Sequence, residues 1–290
     1  MGHALISIVI CSAQAARLQA VAANIAATIG VEYELVAIDN SVEGRGLCEV
    51  YNEGASRASH EFICFVHEDV EFLSAGWGPR ALAHFTADAE LAMLGLAGSR
   101  YKARTPSGWH SGDKEDLCIN VRHGSSRDAA VLAYAKPDAH LAASSVPVVA
   151  LDGVWMFVRR SAWAAVRFDE RLRGFHFYDV DFSLRVAQVG RVAVAFDIDL
   201  LHFSLGSFRE AWALGALAYA AEPAVQLPRY LVSAMSPAQM RRKEALAVRY
   251  WLRLLRRAHL PLAIRWRWLR GVAIQRYPSL WRLAFKFLLR

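Results

Sequence analysis

Residues 62–72 read FICFVHEDVEF: an apolar run stops abruptly at His67, Glu68 and Asp69. A carboxylate and an imidazole at one strand tip can ligate a divalent cation, and such an ion offsets phosphate charge. The plainer reading is an acidic turn whose Asp caps the next helix and stays solvated. A second acidic end, Asp39-Asn40-Ser41, closes YELVAIDNS (33–41), where an Asx turn is the plain alternative. A third pair, Asp179 and Asp181 in FHFYDVDFSLR (175–185), falls on the first turn of a helix. The helix dipole alone favours acids there. The aromatic cluster Phe175, Phe177 and Tyr178 adds an apolar setting, which raises a carboxylate pKa and makes a general base. His202, in LHFSLGS (201–207), becomes a nitrogen ligand if a metal is held nearby, and is otherwise structural.

The elements that position these residues follow from periodicity. ALISIVICS (4–12) is short, β-branched and nearly free of polar groups, as a strand buried on both faces is. An Ala- and Leu-rich helix is expected over 13–29, strands over 33–41 and 62–69, and helices over 47–59 and 75–89, the former weakened by Gly54. MLGLAG (93–98) reads as a fourth strand. This alternation predicts a doubly wound α/β domain with a mostly parallel sheet flanked by helices. In such sheets ligands bind beyond the carboxyl ends of strands, which is where Asp39 and the His67–Asp69 tip fall. Residues 100–145 break the rhythm with scattered polar residues and are expected to form a long, variable surface insertion. Order returns at VPVVALDGVWMFVRR (146–160), expected as a strand bent near Asp152-Gly153, and then a short helix over 160–166. A helix from about residue 180 to 190 and one or two strands over 191–203 complete the domain.

Neither GxGxxG nor GxxxxGK[ST] occurs, so a phosphate-bearing ligand must be neutralised by something other than a glycine-rich loop. A nucleotidyltransferase usually carries a Gly- and basic-rich loop after its first strand, and residues 10–20 offer only Arg17. The four cysteines include no CxxC pair and read as reduced core thiols of a cytosolic protein. No secretory leader is evident, and AWALGALAYAA (211–221), the most apolar stretch, is about half the ~20 residues that span a bilayer.

Four blocks resemble the family 2 glycosyltransferases with the GT-A fold, and most closely the branch resembling the streptomycin-biosynthesis protein StrF. They are SIVICS (7–12), VAIDNS (36–41), YNEGASRASHEFICFVHEDV (51–70) and YDVDFSLR (178–185). The resemblance covers roughly residues 5–210. It implies a Rossmann-like GT-A domain over 1–210 that moves a sugar from a nucleotide-diphosphate donor with Mn²⁺ or Mg²⁺. It implies that Asp39 and Asn40 meet the nucleoside, that His67, Glu68 and Asp69 stand at the family's DxD motif, and that Asp69 and His202 hold the metal. His67 replaces the first Asp of that motif, and Tyr178 replaces a Glu before the catalytic base. Asp179 takes the place of that base, with Asp181 as its neighbour and alternative. Asp152, Gly153, Trp155 and Tyr178 would border the sugar and acceptor pocket. The expected reaction is inverting transfer to a glycan or lipid-linked acceptor in surface-polysaccharide assembly. The rival is a nucleotide- or sugar-binding relative without chemistry, supported by the two replacements.

Net charge is +7 but uneven: residues 240–290 carry 14 Lys or Arg and one acid, while the first 239 residues carry 20 basic and 26 acidic groups. Residues 211–290 are expected as a basic helical extension. Val248, Leu252 and Leu255 form an apolar stripe beside Arg249, Arg253 and Arg256; Leu280, Ala284 and Phe287 repeat the pattern beside Arg282, Lys286 and Arg290. With Trp251, Trp266, Trp268 and Trp281 as anchors, this predicts peripheral attachment to an anionic membrane, at the cytoplasmic face. The alternatives are packing on the catalytic domain or in a homodimer. Nucleic acid is disfavoured because no recognised motif accompanies the charge.

Overall fold

The computed structural model describes residues 6–204, 206–231 and 234–289. Ala4 and Leu5, at the head of the expected first strand, and Arg290, at the end of the basic stripe, lie outside them. The chain opens as expected: β1 (Ile6–Ser12), α1 (Ala15–Thr28), β2 (Tyr33–Asp39), α2 (Leu47–Arg57) and β3 (Phe62–Val66). β4 (Val70–Phe72), α3 (Trp77–Ala87), β5 (Leu91–Gly95) and β6 (Ala97–Ser99) follow. Every residue of β3 and β5 is buried, the physical counterpart of their unbroken apolar runs.

Gly54 lies within α2 because bulk is excluded there: a Cβ at this position would meet Val9 Cγ1 at 2.3 Å. The glycine lets the helix lie directly on β1. Asn52, two residues earlier, serves the fold as well. Its amide donates to Phe168 O at 2.9 Å, and its carbonyl accepts from Phe168 N and Trp163 Nε1.

The segment 100–145 lies at the surface only in its second half, where residues 122–145 are half-buried or exposed except Pro137; its first half enters the core. It supplies β7 (Tyr101–Lys102), β8 (Leu117–His123) and β9 (Val131–Ala135), and Tyr101, Lys102 and Ser107 are buried. Its polar residues had masked this by breaking apolar periodicity. They are satisfied internally, as where Lys102 Nζ donates to Ala103 O and Ser107 Oγ.

The expected bent strand of 146–160 is three strands: β10 (Ser145–Val148), β11 (Ala150–Leu151) and β12 (Trp155–Arg159). Next come α4 (Arg160–Val166), α5 (Tyr178–Val186), β13 (Arg191–Ala195) and β14 (Leu200–His202). The main sheet runs β10-β13-β5-β12-β3-β1-β2. It is mixed: β1 pairs parallel with β2 and β3, and β13 with β5, whereas β12 lies antiparallel between β3 and β5. A second sheet, β11-β6-β8-β14-β4, carries β9 beside β8 and stands at the carboxyl ends of β3 and β5.

The C-terminal region consists of α6 (Glu210–Ala221), β15 (Arg229–Tyr230), α7 (Pro237–Arg256), α8 (Leu262–Val272) and α9 (Trp281–Leu288). It shares one apolar core with α5: Val180 and Leu184 cluster with Trp251, Leu252, Trp268 and Phe287. This packing is the alternative given for the tail, and it corrects which apolar residues could meet lipid. Val248, Leu252 and Leu255, like Leu280, Ala284 and Phe287, face protein rather than lipid, and Trp251 and Trp268 are buried. Amphipathic spacing identifies the apolar face of a helix but not what covers it. Among the described residues no helix is long and apolar enough to cross a membrane.

Candidate active site

β3 ends at Val66, and the chain turns through His67, Glu68 and Asp69 into β4. β14 runs antiparallel to β4 with His202 opposite Val70, and Phe203 N donates to Asp69 O at 2.9 Å. This pairing carries His202 to the β3 tip: its Nε2 lies 3.3 Å from Asp69 Oδ1, and His67 Nδ1 lies 3.8 Å from the same oxygen. One ligand atom from each of His67, Asp69 and His202 falls within 4.8 Å of the others. Two imidazole nitrogens and a carboxylate oxygen form a donor set suited to a divalent transition ion. Burial pushes the Asp69 carboxyl up, but the hydrogen bond and charge of His202, with His67 and Arg17, hold it below its ordinary value. Burial and the neighbouring His202 lower the pKa of His67 and favour its neutral, ligating form.

α5 brings the second group. Its first residue, Tyr178, places its hydroxyl 2.6 Å from His67 Nε2. Asp179 Oδ2 accepts from Gly153 N at 3.1 Å. Burial, and then the charge of Asp152, raise Asp179 to about 7, against hydrogen bonds from the backbone of Val180 and Gly153. Asp152 is itself held in place, its Oδ2 accepting from Trp109 Nε1 at 2.7 Å and its Oδ1 from Val154 N at 2.9 Å. The residue before α5, Phe177, has φ 68°, an uncommon conformation for a side chain of this size. Packing of its ring on Trp212 and Tyr219 of α6 holds it there.

These groups border one cleft of about 600 Å³, which reaches from His67, Asp69 and His202 to Asp152 and Asp179. Tyr178 and Gly153 line it too. Other expected site residues stand elsewhere. Trp155 is a correction: it is fully buried in β12, packed on Trp77 and Phe157, and cannot touch a ligand. Asp181 is buried under Arg185, whose Nη2 donates to it at 2.6 Å, and is not among the cleft residues. Asp39 is exposed and accepts from Ser41 N at 2.8 Å, an Asx turn. The Asn40 side chain is buried and exchanges hydrogen bonds with the backbone of Arg45. Glu68 accepts from Ser12 Oγ, Ala13 N and Gln14 N, fixing the turn that leads into α1.

Several cleft residues escaped the sequence reading. Trp109, His110 and His123 come from the 100–145 segment, and Tyr250 and Trp251 from α7. His123 lies opposite His202 across the β8–β14 pair, its ring 5.6 Å from that of His202. A histidine closing the strand LCINVRH (117–123) was the available signal, since His67 and His202 also follow or end strands. His110 stacks on Tyr250 at 3.8 Å, and burial lowers its pKa to about 4, so it presents a neutral aromatic face.

Among solved structures, residues 1–349 of TarS from S. aureus match with a TM-score of 0.55 at 14% identity, over 96% of this chain and 82% of that one. The same fragment in complex with UDP-GlcNAc matches with a TM-score of 0.51 at 12% identity, over 96% and 82%. Longer TarS matches with a TM-score of 0.52 at 12% identity over 96% of this chain, which spans only 50% of that protein. Likeness at this identity shows the fold, which is GT-A. No curated protein matches the chain. Residues 4–214 match the sequence model described as a glycosyltransferase-like family. The chain belongs to that glycosyltransferase-like family.

Proposed function

We propose that the protein is an inverting, metal-dependent glycosyltransferase that moves a sugar from a nucleotide-diphosphate donor to a hydroxyl of a glycan or lipid-linked acceptor. The observation that carries this reading is the convergence, in one cleft, of the His67–Asp69–His202 donor set with the desolvated carboxylate of Asp179. Asp69 and His202 would hold Mn²⁺ or Mg²⁺, with His67 Nδ1 as a third donor. The ion, when bound, offsets the charge growing on the departing diphosphate. With its proton on Nε2, His67 donates to the Tyr178 hydroxyl and leaves Nδ1 turned towards Asp69. Asp179 takes the proton from the acceptor hydroxyl as that oxygen forms its bond to the anomeric carbon and the bond to the diphosphate breaks. One displacement inverts that carbon and requires no enzyme nucleophile. Trp109 and the stacked His110–Tyr250 pair offer flat faces to sugar rings. Surface-polysaccharide assembly is the process this chemistry suits.

A thermal-shift screen of UDP, dTDP, GDP and CMP nucleotides with and without Mn²⁺ or Mg²⁺ tests the donor side. TarS has been solved with UDP-GlcNAc, so UDP sugars come first. A stabilisation that requires the cation and vanishes in Asp69→Ala supports the reading. No shift with any nucleotide refutes it. The rival, a binding relative without chemistry, draws on the internal engagement of Asn40 and Glu68. It predicts a nucleotide shift without transfer to any acceptor.

A further inference from the structure

Five of the 15 large apolar side chains that stand exposed among the described residues fall in the last 28 of them. They are Leu262 and Trp266 on α8, 55% and 53% exposed, and Trp281, Phe285 and Leu289 on and just past α9, 54%, 61% and 69% exposed. Each set is spaced by four, so each forms a stripe along one helix face. These stripes flank the buried faces, which carry Trp268 and Leu269 on α8 and Ala284 and Phe287 on α9. The helices pack together: the Trp268 and Phe287 rings lie 5.9 Å apart, and Arg265 Nη1 donates to Phe287 O at 3.2 Å. Beside the stripes stand exposed Arg267, Arg270, Arg282 and Lys286, and no acid follows Glu244.

We propose that this outer face of α8 and α9 docks the protein on the surface of an anionic lipid bilayer. Aromatic and leucine side chains beside arginines are the composition of helices that lie in a membrane interface, where rings reach the acyl boundary and cations meet phosphate. A second copy of the chain suits the face poorly, because a twofold interface would set this basic surface against itself. Nucleic acid would meet the arginines but leave Leu262 and Leu289 in water. A groove of about 810 Å³, lined in part by Leu260 and Pro261, shares Gly206, Ser207, Phe208 and Leu254 with the cleft. It joins the candidate active site to the head of α8, beside Leu262. A lipid-linked acceptor drawn from the bilayer fits that route, but the docking stands whether or not the transfer reading does.

The test is flotation of the full chain with phosphatidylcholine vesicles, alone or with one-third phosphatidylglycerol, at low and high salt. Binding is expected to the anionic vesicles and to weaken with salt. The variant Trp281→Ser/Phe285→Ser/Leu289→Ser changes only exposed positions, and the one side-chain bond it removes, from Trp281 Nε1 to Ile274 O, is itself at the surface. It should keep the wild-type melting temperature and lower the partition coefficient at least tenfold. Arg282→Gln/Lys286→Gln should lower it about 25-fold on anionic vesicles, roughly fivefold per charge. Brominated lipid should quench tryptophan emission in the wild type and less in Trp281→Ser. Failure of the wild type to float with anionic vesicles, equal binding to phosphatidylcholine alone, or wild-type flotation by both variants would overturn the proposal. So would a dimer that the triple variant dissociates without any change in flotation.

Discussion

The Tyr178 hydroxyl lies 2.6 Å from His67 Nε2 and directly over Gly153, where an added Cβ would sit 2.0 Å from it. One phenol thus joins the metal-binding end of the cleft to the turn that positions Asp179. The relation explains why a glycine follows Asp152 and why a tyrosine begins α5.

Tyr178→Phe retains the ring but removes the bond that orients His67. Mn²⁺ affinity, measured by calorimetry, is expected to fall about 10- to 100-fold, the range for a lost hydrogen bond behind a metal ligand. Gly153→Ala acts through bulk instead. It should lower the unfolding free energy by about 1–3 kcal/mol, the cost of overpacking, and displace Tyr178 along with Asp179.

Asp179→Asn is expected to slow transfer by about 10²–10⁴-fold, the contribution of a positioned base, while leaving the nucleotide-induced thermal shift intact. Asp181→Asn provides the contrast. It weakens a buried pair with Arg185 outside the cleft, so it should lower melting temperature more than the turnover of the folded enzyme. Transfer by Asp179→Asn at the wild-type rate would remove this aspartate from the mechanism.

The pH dependence follows from the raised pKa of Asp179, about 7. The base works ionised, so kcat should rise about tenfold per pH unit below 7 and level off above it. The stability effect has the opposite sense. Between about pH 4 and 7 the folded state holds a proton that the unfolded state has released, so this carboxyl contributes less stability as pH rises. In urea titrations without divalent cation, Asp179→Asn should therefore gain on the wild type in stability across that interval.

Buried Glu244 of α7 accepts from the Tyr101 hydroxyl at 2.8 Å and from Arg104 N at 3.1 Å. Glu244→Ala leaves both donors without that acceptor, and should lower the unfolding free energy by about 2–4 kcal/mol. Because α7 shares its core with α5, calorimetry should show one transition in the wild type and no separate melting of residues 211–290.

Local pattern determined much of this protein. Apolar runs marked the strands, punctuation marked the helix ends, and short motifs placed His67, Asp69, Asp179 and His202 at element ends, where parallel sheets gather ligands. Tertiary structure decided which neighbours of these residues share the cleft. Asp152 stands in the turn between β11 and β12, whereas Trp155 opens β12 inside the main sheet and is buried in the core although the motif before it borders the site. Asn40, Glu68 and Asp181 have the right chemistry but are engaged internally: Asn40 and Asp181 by near neighbours in the chain, Arg45 and Arg185, and Glu68 by Ser12, which only folding brings close. The segment 100–145 and α7 came to the cleft through pairing and packing at long sequence separation, which no local window contains. The same limit applied to the basic tail. Its spacing revealed the apolar faces of α7 and α9, but only the packing of α8 on α6 and of α9 on α7 and α8 decided that Trp268 and Phe287 face the core and Trp266 and Trp281 face out.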